Sequence, residues 1–288
     1  EPAGDAGFMV ETARKMYHEI SPETGEFIDF MIDHQLMDLE NKPGKASTGY
    51  MTSLPSLKAP FVFSCFNHTI FDMQVLTHEL GHAFAGYMAM RSQPISDYYS
   101  ETTDIAEIHS MSMEQFAYPY AQWFFGDQAD KFRFAHLQEA LTFVPFGVAV
   151  DEFQHICYAD PRLTPKERTY QWRLLEEKYM PWRRYDNDAF MERGGYWYHK
   201  LHIYLYPFYY INYTLTTMGA MEFKKKYAED KAAAWQDYLK LCKTGGSRSY
   251  LETLRYANLA NPFEAGSVAR ACGYAEDILL RQLAEQEK

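Results

Sequence analysis

Apolar residues recur at helical spacing along most of the chain. From residue 5 to about residue 39 the recurrence is broken at Ser21 and Pro22. Serine caps a helix well and proline suits its first turn, so two helices are predicted there. Residues 48–66 differ, because they contain two prolines and the β-favouring run Phe61-Val62-Phe63. This stretch predicts a short hairpin or edge ribbon.

Beyond residue 70 the pattern predicts helices almost throughout. Proline and glycine pairs mark the breaks between them. The predicted helices cover about residues 71–90, 103–125, 129–142, 148–158, 165–179, 207–227, 232–242, 250–259 and 266–285. No repeat or low-complexity linker divides the sequence, so we expect one mainly α domain over residues 1–288 with a small β ribbon.

Composition and charge narrow the possible partners. The 288 residues include 39 acidic and 28 basic side chains, for a net charge of −11, which argues against a nucleic-acid partner. No apolar run approaches the roughly 18 residues of a membrane helix, so no membrane partner is expected. The four cysteines are scattered, which favours a reducing cytoplasmic location over a disulfide framework. The chain starts at Glu1 rather than methionine and can therefore be a fragment.

The sharpest motif is His78-Glu79-Leu80-Gly81-His82, an HExxH unit in a proline-free, helix-compatible stretch. One helical turn separates the two histidines, so both imidazoles can reach one zinc ion. Glu79 lies about a quarter-turn away, where it can reach a metal-bound water. The competing interpretation is a core helix with two histidines that are satisfied by hydrogen bonds.

A catalytic zinc site needs a third protein ligand and one open position. Glu107 is a candidate, because 24 residues separate it from His82 and include a Ser-Gln-Pro stretch where the chain can reverse. Spacing alone leaves Glu101, Asp104 and Glu114 as rivals, each of which could instead lie on a solvated face. Glu114 could also accept a hydrogen bond from a ligand imidazole.

These residues resemble the thimet oligopeptidase and oligoendopeptidase F family of zinc peptidases. The similarity includes the HExxH unit and the run from Glu107 to Glu114, and extends to residues 44–50, 60–67, 146–155 and 202–213. It favours the bacterial oligoendopeptidase branch and implies a zincin-like catalytic domain that cleaves oligopeptides. It also implies one Zn²⁺ ion held by His78, His82 and Glu107. Family members are about twice as long, so a helical amino-terminal half would be a missing partner.

The predicted chemistry is hydrolysis of a peptide bond by a zinc-activated water. Zinc acidifies water and polarises a carbonyl, while Glu79 takes the proton and passes it to the leaving amine. Hydrogen-bond donors should face the oxyanion that develops during this reaction. The resemblance indicates the segment that begins at His202 for these contacts.

The tyrosines after His202 leave the choice of donor open. Tyr209 and Tyr213 share one helical face, while Tyr206, Tyr210 and Tyr213 form a second stripe. We predict His202, Tyr209 and Tyr213 as catalytic residues, with Tyr210 next. A stripe of packing aromatics is the alternative.

Three alternative interpretations remain. The unit Glu152-x-x-His155 is typical of di-iron carboxylate proteins, although they need two copies and a structural role is favoured here. The chain could also be a truncated, non-catalytic module that binds zinc and peptides. The ribbon could pair with an extended peptide or simply shield the helix that contains the HExxH unit.

Outside these sites, we interpret the remaining histidines as ordinary polar or packing residues, among them His68, His109 and His136.

Overall fold

The computed structural model describes residues 3–286. Its strands are β1 (Met37–Glu40), β2 (Tyr50–Leu54) and β3 (Ala59–Phe66). Its helices are α1 (Ala6–Ile20), α2 (Pro22–Asp33), α3 (Phe71–Ser92), α4 (Thr103–Ala117), α5 (Ala121–Phe125), α6 (Ala129–Ala159), α7 (Pro165–Tyr179), α8 (Leu201–Leu205), α9 (Ile211–Glu229), α10 (Lys231–Thr244), α11 (Tyr250–Tyr256) and α12 (Ser267–Gln286). The fold is therefore mainly α with one small sheet, as predicted.

The sheet has strand order β1-β3-β2. β2 and β3 form the predicted hairpin, which turns through Lys58 at a positive φ of 48°. β1 pairs with β3 in parallel, and the local sequence pattern did not predict this strand. The predicted second helix ends at Asp33 rather than near residue 39, because the chain takes a left-handed conformation at Gln35, where φ is 54°. Both β2 and β3 pack against α3, so the sheet lies beside the helix with the HExxH unit.

Helix α6 is the largest difference from the predicted elements. The sequence predicts two helices with a break between residues 142 and 148, but one helix continues through Pro145. Proline removes one backbone hydrogen bond from a helix interior. Its neighbours Val144 and Phe146 are buried, at 5% and 8% exposure, and their packing holds the helix together across this position.

Two other boundaries differ from the predictions. The helix predicted over residues 103–125 ends at Ala117, and a 3₁₀ turn at Tyr118–Tyr120 that contains Pro119 separates α4 from α5. The helix predicted from residue 207 begins at Ile211 instead. Pro119 lies in the turn after α4, and Pro207 lies four residues before the start of α9. Proline disfavours the helical conformation of the residue before it and lacks the N–H group that a helix interior needs.

The described residues form two compact units. The first includes the residues up to Leu137 and those from Met218 onward, and its core contains Tyr17, Phe84 and Tyr238. The second is Gln138–Thr217, with a separate core that includes Trp172. Across residues 3–286, none of the helices has both the length and the apolar character needed to cross a membrane.

Candidate metal centre

Helix α3 presents His78 and His82 on one face. Their ring centroids lie 4.9 Å apart and the ring planes are nearly perpendicular, at 82°. Gly81 allows α4 to come close, since a Cβ atom at this position would lie only 2.7 Å from the Ser110 Cα. The HExxH unit is therefore packed directly against the helix that contains Glu107.

Glu107 meets both imidazoles. Its Oε2 atom lies 3.1 Å from His78 Nε2 and 3.4 Å from His82 Nε2, and it accepts a hydrogen bond of 3.0 Å from Ser110 Oγ. Over residues 3–286, these three residues form the one group of His, Cys, Asp or Glu side chains whose potential ligand atoms lie within 4.8 Å of one another. Two imidazole nitrogens and one carboxylate oxygen are a donor set that suits zinc.

Two of the three rival carboxylates, Glu101 and Asp104, have partners other than the histidines of α3. Glu101 pairs with the buried His109, at 3.2 Å between Oε1 and Nδ1. Asp104 accepts a hydrogen bond from Thr102 at the start of α4. Of the four candidate carboxylates, only Glu107 lies between the two histidines of α3.

The close contacts shift the protonation of these residues. Burial acts to lower the pKa of His78, but hydrogen bonds to Glu107 and Glu114 outweigh it and raise the pKa above its usual range. Burial acts to raise the pKa of Glu107, but hydrogen bonds from His78 and His82 hold it well below the usual range. The Glu107 carboxylate is therefore ionised, which is the form that binds a metal.

Glu79 lies beside the start of β2. Its side chain is 7% exposed, and its Oε1 atom would lie 2.9 Å from a Cβ atom at Gly49. Its Oε2 atom is buried without a hydrogen-bond partner in the part of the chain that the structure describes. Burial is the main cause that raises the pKa of this carboxyl group. Glu79 is thus a buried carboxyl with one free oxygen, one residue from His78.

A chain of hydrogen bonds extends behind His78. Glu114 accepts one from His78 Nδ1 at 2.6 Å, in agreement with its suggested role as an acceptor for a ligand imidazole. Its other oxygen lies 2.5 Å from His136 Nε2, and His136 Nδ1 lies 2.7 Å from the Tyr118 hydroxyl. His136, interpreted from the sequence as an ordinary polar or packing residue, is thus a buried hydrogen-bond partner of Glu114. No spacing rule indicates this contact, because His136 lies on α6, far along the chain from Glu114.

His202, Tyr209 and Tyr213 form an aromatic cluster in the second unit. The His202 ring is 6.3 Å from that of Tyr209 and 5.9 Å from that of Tyr213, between centroids, and the two tyrosine rings are 5.4 Å apart. Tyr210 also contacts His202 but is only 5% exposed, whereas Tyr206 is 58% exposed. The structure thus brings together His202, Tyr209 and Tyr213, the three residues predicted from the sequence. Their role in catalysis remains a prediction.

Glu152 and His155 do not share a site. Glu152 accepts hydrogen bonds from Lys178 and Tyr179, while His155 is 68% exposed and pairs with Asp151 at 3.3 Å. The hypothesis of a di-iron centre at these residues has no support in the described structure, and the structural role that we favoured fits these contacts.

Comparison with known proteins identifies the family. The family model described as Peptidase family M3 matches residues 12–272. An oligoendopeptidase F homolog from Borreliella burgdorferi is 24% identical over 234 residues, which are 78% of this chain and 38% of that protein. The chain thus spans well under half the length of this relative.

Solved structures agree with the family model. A structure assigned to oligoendopeptidase F is 51% identical with a TM-score of 0.89, and the match covers 96% of this chain and 49% of that one. A structure of PZ peptidase A with an inhibitor is 50% identical with a TM-score of 0.90, and the match covers 97% of this chain and 50% of that one. These likenesses confirm the resemblance to oligoendopeptidases and the zincin-like fold class. The chain therefore belongs to peptidase family M3.

Proposed function

We propose that this chain is the catalytic part of a zinc metallopeptidase that cleaves short peptides. The observation that carries the proposal is the convergence of His78, His82 and Glu107 within 4.8 Å. Residues 1–288 would form the catalytic domain, and an amino-terminal half would complete the enzyme. This half is suggested by the solved relatives, of which the matches cover 49% and 50%.

The donor set supports zinc as the metal. His78 and His82 would each offer Nε2, and Glu107 would offer Oε2, which leaves room for a fourth, exchangeable position. A zinc ion held there would lower the pKa of a water molecule and polarise the scissile carbonyl. The three residues contribute the geometry, because α3 and α4 fix their side chains before any metal binds.

Glu79 is the proposed general base. Its free Oε2 atom can accept a proton from the attacking water, and its raised pKa makes it a better base than an ordinary carboxylate. The same group would then pass this proton to the leaving amine. Proton transfer of this kind typically contributes about 10²- to 10⁴-fold to the rate.

The sheet supports a peptide as the substrate. In the described structure β2 is hydrogen-bonded on one side only, to β3, so its outer edge can pair with an extended backbone. Gly49 immediately precedes this strand and lies against Glu79. A peptide on β2 would therefore extend toward the general base, and backbone pairing would give affinity with little side-chain selectivity.

The aromatic cluster offers possible hydrogen-bond donors. We propose that His202, Tyr209 and Tyr213 contact the substrate and stabilise the developing oxyanion, as the resemblance to the family implies.

We also propose a cytoplasmic location. The support for it is that all four cysteines are free thiols.

The proposed function is tested with metal analysis and a peptide cleavage assay. We expect about one zinc per chain and cleavage of a quenched fluorescent peptide that a chelator stops and zinc restores. Glu79→Gln should keep the zinc and lose cleavage, whereas Glu19→Gln, at an exposed carboxylate on α1, should keep both. Zinc without chelator-sensitive cleavage would indicate the non-catalytic binding module instead.

A further inference from the structure

The hydrogen-bond chain behind His78 has no assigned role beyond Glu114. It joins four residues from three elements and the turn after α4: His78 on α3, Glu114 on α4, Tyr118 in the turn and His136 on α6. Glu114 and His136 are each 6% exposed, and Tyr118 is 8% exposed. A buried polar chain of this kind is stabilising only when every member has a partner.

The direction of each hydrogen bond follows from the chemistry of Glu114. An ionised carboxylate only accepts, so both His78 Nδ1 and His136 Nε2 must donate to it. His136 Nδ1 is then free to accept from the Tyr118 hydroxyl. With one proton held on Nδ1 by Glu114, Nε2 is the ring nitrogen that faces Glu107, and it would bind a metal once its own proton is displaced.

Neighbouring residues hold the far end of this hydrogen-bond chain in place. The Lys224 side chain is 8% exposed, and its Nζ atom lies 3.4 Å from the centroid of the Tyr118 ring. Burial lowers the pKa of Lys224 to about 7, so its contribution here is the contact that fixes the Tyr118 ring. Phe132 stacks on the His136 ring at 5.6 Å and 9°, which holds that imidazole in place. The hydrogen-bond chain is therefore held in place at both of its distal residues, Tyr118 and His136.

We propose that His136, supported by Tyr118, is a positioning residue that orients the metal ligand His78 through Glu114. This inference rests on the proposed function, because it assumes that His78 binds a metal. Residues that hold metal ligands typically contribute roughly 10- to 100-fold to metal affinity.

The test measures zinc affinity by competition with a chromogenic chelator, together with the thermal unfolding of the metal-free protein. His136→Phe keeps a ring that can stack on Phe132 but cannot donate to Glu114. We expect zinc affinity to fall about tenfold or more and the absorption spectrum of the Co²⁺-loaded protein to change. The metal-free variant should still unfold cooperatively, although at a lower temperature than the wild type, because Glu114 and Tyr118 each lose a buried hydrogen-bond partner. His136→Gln retains a donor and should recover part of the affinity.

His18→Phe is a matched control. His18 is an exposed imidazole that also pairs with a carboxylate, at 3.0 Å from Asp29. It lies outside the metal centre, so its loss should leave zinc affinity and the cobalt spectrum unchanged.

The outcomes separate this inference from the proposed function. A wild-type protein that binds no zinc would contradict the proposed function itself. A wild-type protein that binds zinc, with a folded His136→Phe variant of equal affinity and identical cobalt spectrum, would overturn the positioning role alone. If His136→Phe does not fold, Tyr118→Phe decides: we expect a weaker effect in the same direction, and unchanged affinity and spectrum would reject the proposal.

Discussion

The candidate metal centre and the aromatic cluster of His202, Tyr209 and Tyr213 position their side chains by different means. In the candidate metal centre, carboxylates contact the imidazoles at short distances, such as the 2.6 Å hydrogen bond from His78 to Glu114. In the aromatic cluster, the His202 ring lies 6.3 and 5.9 Å from the Tyr209 and Tyr213 rings, and the two tyrosine rings are 5.4 Å apart, between centroids. Hydrogen bonds to carboxylates fix both the orientation of an imidazole ring and its charge, whereas contacts between rings fix mainly the distance between them.

The two histidines show the consequence of this difference. Hydrogen bonds to Glu107 and Glu114 raise the pKa of His78 against the effect of burial. Burial and the neighbouring charge of Lys200 both lower the pKa of His202. The same side chain thus favours its charged form in one region and its neutral form in the other, and the partners rather than the residue type decide which.

Removing the carboxylate between the two imidazoles should give the largest effect. Glu107→Ala leaves His78 and His82 without the third ligand, so we expect zinc affinity to fall by more than about a thousandfold. Competition with a chelator measures it. Asp104→Asn on the same helix is the control and should bind zinc within about twofold of the wild type. A similar loss in both variants would mean that the choice of Glu107 is wrong.

The contact between α3 and α4 gives the next effect. Gly81→Ala places a methyl group 2.7 Å from the Ser110 Cα, so we expect the free energy of unfolding to fall by about 2 kcal/mol. Gly86→Ala on the same helix meets only Met51 and Ser53 at 3.5 and 3.6 Å, which is ordinary contact. It should stabilise the protein by up to about 1 kcal/mol. Urea unfolding of the metal-free protein compares them, and equal effects would contradict the packing argument.

In the aromatic cluster we expect a smaller effect, on turnover alone. Tyr209→Phe and Tyr213→Phe remove one hydroxyl each, and we expect kcat to fall about tenfold with zinc affinity unchanged. Tyr206→Phe, at a ring that is 58% exposed, should leave kcat near the wild-type value. If Tyr206→Phe costs more than the other two, the second tyrosine stripe contacts the substrate instead.

The smallest effect concerns the charge of His202. Folding lowers the pKa of His202. At a pH between this lowered pKa and the usual pKa of histidine, the unfolded chain therefore binds the proton more readily than the folded protein does. Stability therefore decreases as the pH falls through that window. Lys200→Gln removes the positive charge, so the pKa of His202 should rise and this loss should shrink. Titration by NMR measures the pKa, and Lys166→Gln, at an exposed site on α7, serves as the control. An unchanged pKa in Lys200→Gln would attribute the shift to burial alone.

Local spacing explains what the sequence could predict. The distance of one helical turn within the HExxH unit and the helix-compatible pattern around it depend on neighbours along the chain. They placed His78 and His82 on one helical face and left Glu107 among four candidate carboxylates, while the β-favouring run in residues 61–63 predicted the β2–β3 hairpin. The resemblance to known peptidases selected Glu107 and supplied the rest of the expected site.

Contacts between distant residues explain what could not be predicted. The short strand β1 forms because β3 offers it a parallel partner, and α6 continues through Pro145 because neighbouring side chains are buried. His136 reaches Glu114 from a different helix. Each of these outcomes depends on tertiary packing, which overrides the local propensities that a sequence displays.

The close approach at Gly81 matters for any attempt to redesign this centre. The fourth position of the HExxH motif is written x, for any residue. Here it is Gly81, and a Cβ atom at this position would lie 2.7 Å from the Ser110 Cα on α4. Randomised libraries should therefore hold this glycine constant along with the histidines. A grafted copy of the motif would need both the glycine and an adjoining helix at the same spacing to reproduce the donor geometry.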